Sequence, residues 1–250
     1  LLFIAFDRVV VPRYAGRAEE REPDPIGERG TVVIAGIGRF GQIVNRLLTA
    51  SGVRTVVLDR HVAQIENMRR IEMKSYFGDA TRPDLLRTAG LDEAALFVVA
   101  IDEPDQAVEL VHHVRRRHPH VRVLARAFDR GHEFRLREAG AHHTVRETYY
   151  SALSLGGGAL RALGTHPFKV EQLKATFEAA EDEVRDELFG AWQHRSEGER
   201  MSADYRALFL QLNRALVEAM QHDRDDRHTR AERGWTPPPK GYVDDLEADA

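Results

Sequence analysis

The chain has 250 residues, of which 42% are hydrophobic and 30% charged, with a formal net charge of −4 and no cysteine. That length suits one or two domains whose core needs neither metal nor disulfide. The missing cysteines exclude a disulfide framework, thiolate zinc ligation and a cysteine nucleophile, and fit a reducing compartment; the balance of charge carries no basic footprint for nucleic acid.

The opening "LLFIAFDRVVVPRYAGR" places six apolar residues before Asp7, far short of the ~20 that span a bilayer. Two readings stand side by side: a short strand, or the end of a membrane helix followed by Arg8, Arg13 and Arg17 as positive-inside residues. Residues 17–30, "RAEEREPDPIGERG", are charged, hold two prolines and show no apolar period, so they read as a linker. A domain is expected from Thr31. Short β-rich runs then alternate with helical patterns: 31–35, 54–58, 73–77, 95–100, 121–127 and, more weakly, 141–145. Runs such as Val32, Val33, Ile34 are apolar on both faces, as strands covered by helices on each side are. The expected fold class is α/β, a doubly wound parallel six-stranded Rossmann sheet over 31–150 followed by an α-helical extension.

From residue 149 the period becomes helical. Tyr149, Leu153, Leu160 and Leu163 form a stripe interrupted by Gly156, Gly157 and Gly158, which predicts a kink or a close helix contact. Phe168, Leu173, Phe177, Val184 and Leu188 mark a second stripe, and Tyr205, Leu208, Phe209, Leu212, Leu216 and Met220 a third. Those faces must be buried on each other, on the sheet domain or on a second copy of the chain. Residues 151–222 are read as helices and 223–250, charged and proline-containing, as a mobile tail.

Gly36, Gly38 and Gly41 form G-x-G-x-x-G directly between a strand and a helical pattern that includes Ile43, Leu47 and Leu48. Gly36 permits the tight turn, Gly38 lets backbone approach a diphosphate, and Gly41 allows close helix packing. The helix N-terminus then faces the anion, and Arg39 adds charge. Asp59, 23 positions after Gly36, is placed to accept hydrogen bonds from ribose hydroxyls, which favours NAD or an adenosine nucleotide over NADP; the adjacent Arg60 is the residue type that tolerates a 2′-phosphate. At later strand ends Asp79 and Ala80 are expected on the adenine side, with Thr81 as a helix cap, and Ile101 and Asp102 against the nucleoside, both aspartates serving equally well as caps. Phe40 and Arg126 complete the candidate nucleotide set. A dehydrogenase would also need a substrate pocket and a positioned acid or base. Tyr149, Tyr150 and Lys169 lack the Tyr-x-x-x-Lys spacing, His142 and His143 are adjacent on a strand and face opposite ways, and no Ser/His/Asp set is recognisable. Catalytic and metal-ligating residues are therefore given as none, and the chain is read as binding without turnover.

Together "VVIAGIGRFGQIVNRLL", "VVLDR", "YFGDATRPDLLRTAGL", "VVAIDEPDQAVELV", "VLARAFDRGHEFRLREAG" and "VRETYYSALSLGGGALRALG" resemble the RCK or KTN (TrkA-N) cytosolic regulatory domain of Kef-type potassium-efflux proteins, over about residues 1–190. The resemblance implies a homodimer formed through the helices after Arg146, AMP or NAD as a structural or regulatory ligand, and gating by glutathione or its adducts. It also implies a membrane antiporter domain in the same full-length chain, with this segment at the cytoplasmic face of a bacterial inner membrane, and leaves room for an ancillary oxidoreductase subunit. Arg146, in "RET", matches the family's glutathione-contacting arginine. The second position, an asparagine in the family, falls at Glu181, whose carboxylate would repel an anionic tripeptide. The alternatives carried alongside are a soluble NAD-dependent oxidoreductase and a separate nucleotide-sensing subunit of a potassium-uptake system.

Overall fold

The structure is a computed structural model that describes residues 24, 26, 31–70, 75–194 and 203–225. The chain divides into two compact units, one up to Ser151 and one from Ala152. The first holds six strands: β1 (Val32–Ala35), β2 (Thr55–Asp59), β3 (Tyr76–Phe77), β4 (Leu96–Val99), β5 (Arg122–Ala127) and β6 (His143–Arg146). They form one all-parallel sheet in the order β3-β2-β1-β4-β5-β6. This is the doubly wound sheet expected from the sequence. The helices between them are α1 (Gly41–Ala50), α2 (Val62–Arg70), α3 (Pro83–Thr88), α4 (Pro104–Arg117) and α5 (Arg130–Glu138).

Alternation along each strand assigns the two faces. Val32, Ile34, Val57 and Val98 point to the side packed by Ile65 and Met68 of α2 and, at the edge of that cluster, Val44 and Leu48 of α1. Val33, Val56, Leu58, Phe97 and Val123 point to the other, against Leu86 of α3, Leu110, Val111 and Val114 of α4, and Leu136 of α5. The sheet therefore reverses its direction of winding between β1 and β4, which places a crevice at their carboxyl ends.

Several expectations need correction. Ile43 and Leu47 are 67% and 69% exposed; the buried face of α1 is carried by Gly41 and Asn45. The helix turns those two large side chains outward because Gly41 must face the strand. Residues 24 and 26 do not behave as free linker. The Asp24 N–H donates to the Phe77 carbonyl at 3.0 Å, and its carboxylate accepts from the Phe77 N–H and from Arg69, each at 2.6 Å, while Ile26 packs on the larger core cluster. The other linker residues, the N-terminal segment 1–23 and the tail from 226 lie outside the described residues.

The second unit contains α7 (Pro167–Gln193), α8 (Ala203–Asp225) and most of α6 (Tyr149–Ala162). α6 runs unbroken through its three glycines. Of the two expectations there, the close contact is the one found: a Cβ on Gly157 would lie 3.0 Å from Lys174 and 3.2 Å from Val170. Arg161 reaches Glu171 at 2.5 Å. α7 and α8 pack on one another, and Leu188, Trp192 and Tyr205 are buried. Leu163 and Phe168, assigned to apolar stripes, are exposed, and α8 continues three residues past 222, into the segment read as tail. Among the described residues no helix is long and apolar enough to cross a membrane.

Two outcomes follow for stability. Phe97 is fully buried in the larger cluster, so Phe97→Ala should cost about 3–5 kcal/mol in urea unfolding. His132 is held neutral: burial, then the charges of Arg135 and Arg126, push its pKa down against the opposing pull of Asp129, and its Nδ1 accepts from the Phe128 N–H at 3.0 Å. Because the unfolded imidazole takes up a proton near pH 6.5 that the folded one refuses, this contribution is complete above that pH and is lost as pH falls towards the folded pKa. The urea midpoint should drop between pH 7.5 and 5.5, and His132→Asn should flatten that slope.

Candidate functional site

A cleft of about 350 Å³ lies at the carboxyl ends of β1, β2, β3 and β4, within the usual ~300–1,000 Å³ range of small-molecule sites. Its floor is the glycine turn. Gly36 has φ +98°, and a Cβ there would stand 2.8 Å from the Ala100 carbonyl carbon and oxygen; both the conformation and the close approach to the end of β4 require glycine. A Cβ on Gly41 would lie 2.0 Å from the Gly36 oxygen. Gly38 differs, since nothing would stand within 4 Å of its Cβ and it lines the cleft. Two glycines build the turn, and the third keeps it open above.

Asp59 ends β2 almost buried, 8% exposed. One carboxylate oxygen accepts from the Ile37 N–H at 2.8 Å; the other accepts from the His61 N–H at 2.8 Å and lies 3.0 Å from His61 Nδ1. The residue placed for a ribose thus also braces the glycine turn from the next strand. A carboxylate has about four acceptor sites, so these bonds leave capacity for a hydroxyl donor. Arg60, next in the chain, crosses the cleft mouth: one Nη pairs with Glu103 and the other donates to Gln106 Oε1 at 3.0 Å.

The remaining walls come from the ends of β3 and β4. Thr81 is not a helix cap. Its N–H and hydroxyl both donate to Asp79 Oδ1, at 2.9 and 2.8 Å, and Arg82 holds the cap position of α3 without a side-chain cap bond. Asp79 therefore fixes its own loop. Asp102 is not a cap either. Glu103 takes that position of α4, and Asp102 pairs with Arg126 Nη1 at 2.5 Å. Arg126, only 6% exposed, also binds Glu147 through Nε at 2.5 Å, so a buried guanidinium stands between two carboxylates.

Of the candidate nucleotide residues, Gly36, Gly38, Asp59, Arg60, Asp79, Ala80, Thr81, Ile101 and Asp102 come together as cleft lining. Arg39, Phe40, Gly41 and Arg126 do not line it: Arg39 is exposed, Phe40 occupies the cap position of α1, Gly41 packs beneath the turn and Arg126 stands behind Asp102. His61, Gln64, Glu103 and Gln106 line it although the sequence reading did not select them. Each lies within seven residues after the end of β2 or β4, strand ends already flagged, and that proximity was the available signal. Outside the cleft, Arg146 is mostly buried, with Nε 3.4 Å from Glu133 and its guanidinium 4.3 Å from the centre of the Tyr149 ring. Glu181 is half-buried on α7 of the second unit.

Comparison with known proteins agrees with this architecture. The TrkA-N domain family matches residues 32–147, and the potassium efflux system KefB C-terminal domain family matches 151–234. The glutathione-regulated potassium-efflux system protein KefC of Cronobacter sakazakii is 38% identical over 222 residues, 88% of this chain, and that of Escherichia coli is 37% identical over 218 residues, 87% of this chain. The chain spans about a third of the length of these relatives, 35% and 34%. Among solved structures, the Kef CTD of Shewanella denitrificans in its AMP-bound form is 39% identical with a TM-score of 0.60, the match covering 66% of this chain and 99% of that one. With a TrkA-N sheet domain followed by a KefB-type C-terminal segment, this chain belongs to the Kef-type RCK regulatory domains.

Proposed function

We propose that the chain is the nucleotide-binding regulatory part of a potassium/proton antiporter of the efflux type, and that it binds AMP or NAD as a fixture without consuming it. The observation that carries this reading is the cleft itself: an open Gly38 above a turn that Asp59 holds rigid, in a chain similar to the AMP-bound Kef CTD. A 5′-phosphate suits the glycine turn at the start of α1, and the ribose suits Asp59. Binding without turnover is supported by the state of the cleft carboxylates. Asp59, Asp79, Asp102 and Glu103 are already held by Ile37 and His61, by Thr81, by Arg126 and by Arg60 respectively. Groups committed to such bonds position a ligand well and accept its protons poorly.

The segment works at the cytoplasmic face of the bacterial inner membrane, joined to an antiporter domain in the same polypeptide, and pairs with a second copy through the helices after Arg146. Exposed Leu155, Leu163 and Phe168 support that pairing. The same helices offer a surface to an ancillary oxidoreductase. Docking of Asp24 on β3, whose chain leads directly into the cleft residues Gly78 and Asp79, supports coupling between the linker and the nucleotide site. Glutathione or an adduct is the gating ligand, contacting Arg146, with Glu181 opposing its charge. A ligand of this kind gates only through its differential affinity for two arrangements, typically ~1–3 kcal/mol.

Mass spectrometry of the purified protein should find AMP or NAD, and calorimetry should register AMP binding. Gly38→Val should lower AMP affinity by about tenfold or more with little change in melting temperature, whereas Gly41→Ala should destabilise the sheet domain itself. An absence of any adenosine ligand, or steady oxidation of NADH with a metabolite, would overturn the reading in favour of an empty scaffold or an oxidoreductase. For the gating ligand, glutathione heat should vanish in Arg146→Ala. Glu181→Asn should raise glutathione affinity several-fold at low salt and less at high salt, as screening predicts.

A further inference from the structure

We infer that Glu103 restricts the cleft to adenosine nucleotides with an unsubstituted ribose, by holding Arg60 in an ion pair across the mouth. This rests on the nucleotide reading above and adds a specificity determinant to it. An arginine beside the ribose-binding acid is how a dinucleotide fold accommodates a 2′-phosphate. Arg60 stands directly after Asp59, yet its guanidinium is engaged with Glu103 and Gln106 at the start of α4. The pairing uses both terminal nitrogens, so the fork that would grip a phosphate is already closed on protein acceptors.

The electrostatics of the lining point the same way. Arg60 is the single arginine or lysine among the described residues of the cleft wall, against Asp59, Asp79, Asp102 and Glu103. Asp102 is balanced from behind by Arg126, and Arg60 balances Glu103. A second phosphate at the ribose would therefore meet a wall with no uncommitted cation and two further carboxylates. The 5′-phosphate escapes this penalty because it is met by the backbone of the glycine turn at the start of α1. Glu103 is also dispensable to the helix it begins: it occupies the cap position of α4 without a side-chain cap bond. Its pairing with Arg60 is thus not explained by helix capping. With the side chains 35% and 41% exposed, the pair contributes little to folding and leaves Arg60 able to swing once released.

The test is calorimetry with AMP and with adenosine 2′,5′-bisphosphate, which differ by one 2′-phosphate. Wild-type protein should prefer AMP by about tenfold or more. Glu103→Ala should narrow that preference by about tenfold, and adding Arg60→Ala should restore it, because the released guanidinium is what receives the second phosphate. Glu103→Gln, which removes the charge and keeps the shape, should shift the ratio in the same direction. The inference fails if AMP binds and the ratio is unmoved in both Glu103 variants, or if wild type accepts the two ligands equally. Failure of wild type to bind AMP would remove the nucleotide reading and this inference together.

Discussion

The first unit depends on one close approach, that of the Gly36 turn to the end of β4. At Gly36 the chain passes so near the Ala100 carbonyl that no side chain fits, and Gly41 packs so near the Gly36 oxygen that none fits there either. The strand, the turn and the helix are thereby locked as a unit. Asp59 adds a lateral brace, since its carboxylate bonds the Ile37 N–H inside the turn from the neighbouring strand. The cleft exists because this locked turn leaves Gly38 facing outward with nothing above it.

Much of this was legible in the sequence because its causes are local. Continuous apolar runs announced buried parallel strands, and the glycine spacing announced the turn, since both are imposed by backbone geometry. The failures share another cause. Ile43 and Leu47 were named in the helical pattern of α1, which forms, but the packing of Gly41 fixes its rotation and turns them out. Asp24 sits in a segment with no apolar period, and its docking depends on an edge N–H and on Arg69, 45 positions away. Capping was expected of Thr81 and was one of two equal readings of Asp102, yet in each case a nearer or stronger partner prevailed. Thr81 bonds Asp79, and Asp102 meets a buried guanidinium 24 residues distant. Long-range charge pairing has no period that a sequence can display.

Charge pairing is also what gives the carboxyl edge of the sheet its character. Largely buried arginines pair with carboxylates there in chains, the exposed Asp102 with Arg126 and Arg126 with the mostly buried Glu147, and Glu133 with Arg146. Such groups are costly to desolvate singly and become tolerable only when paired with good geometry. An edge built in this way is selective: it admits a ligand that fits among existing pairs and resists one that would leave a charge unbalanced.

The same chain of pairs gives the proposed regulation a physical route within the first unit. Asp102 lines the cleft, and Arg126 binds it and Glu147 at 2.5 Å each. Glu147 lies next to Arg146 and two residues before α6. Arg126, at 6% exposure, cannot exchange either carboxylate for bulk water without leaving a buried charge exposed to loss of several kcal/mol. A ligand that draws on Asp102 must therefore alter how Arg126 divides itself between the two acids, and the change arrives at the segment from which α6 departs. No flexible element is needed for that transmission, only a buried cation with two anions, one in the cleft and one at the root of the helix.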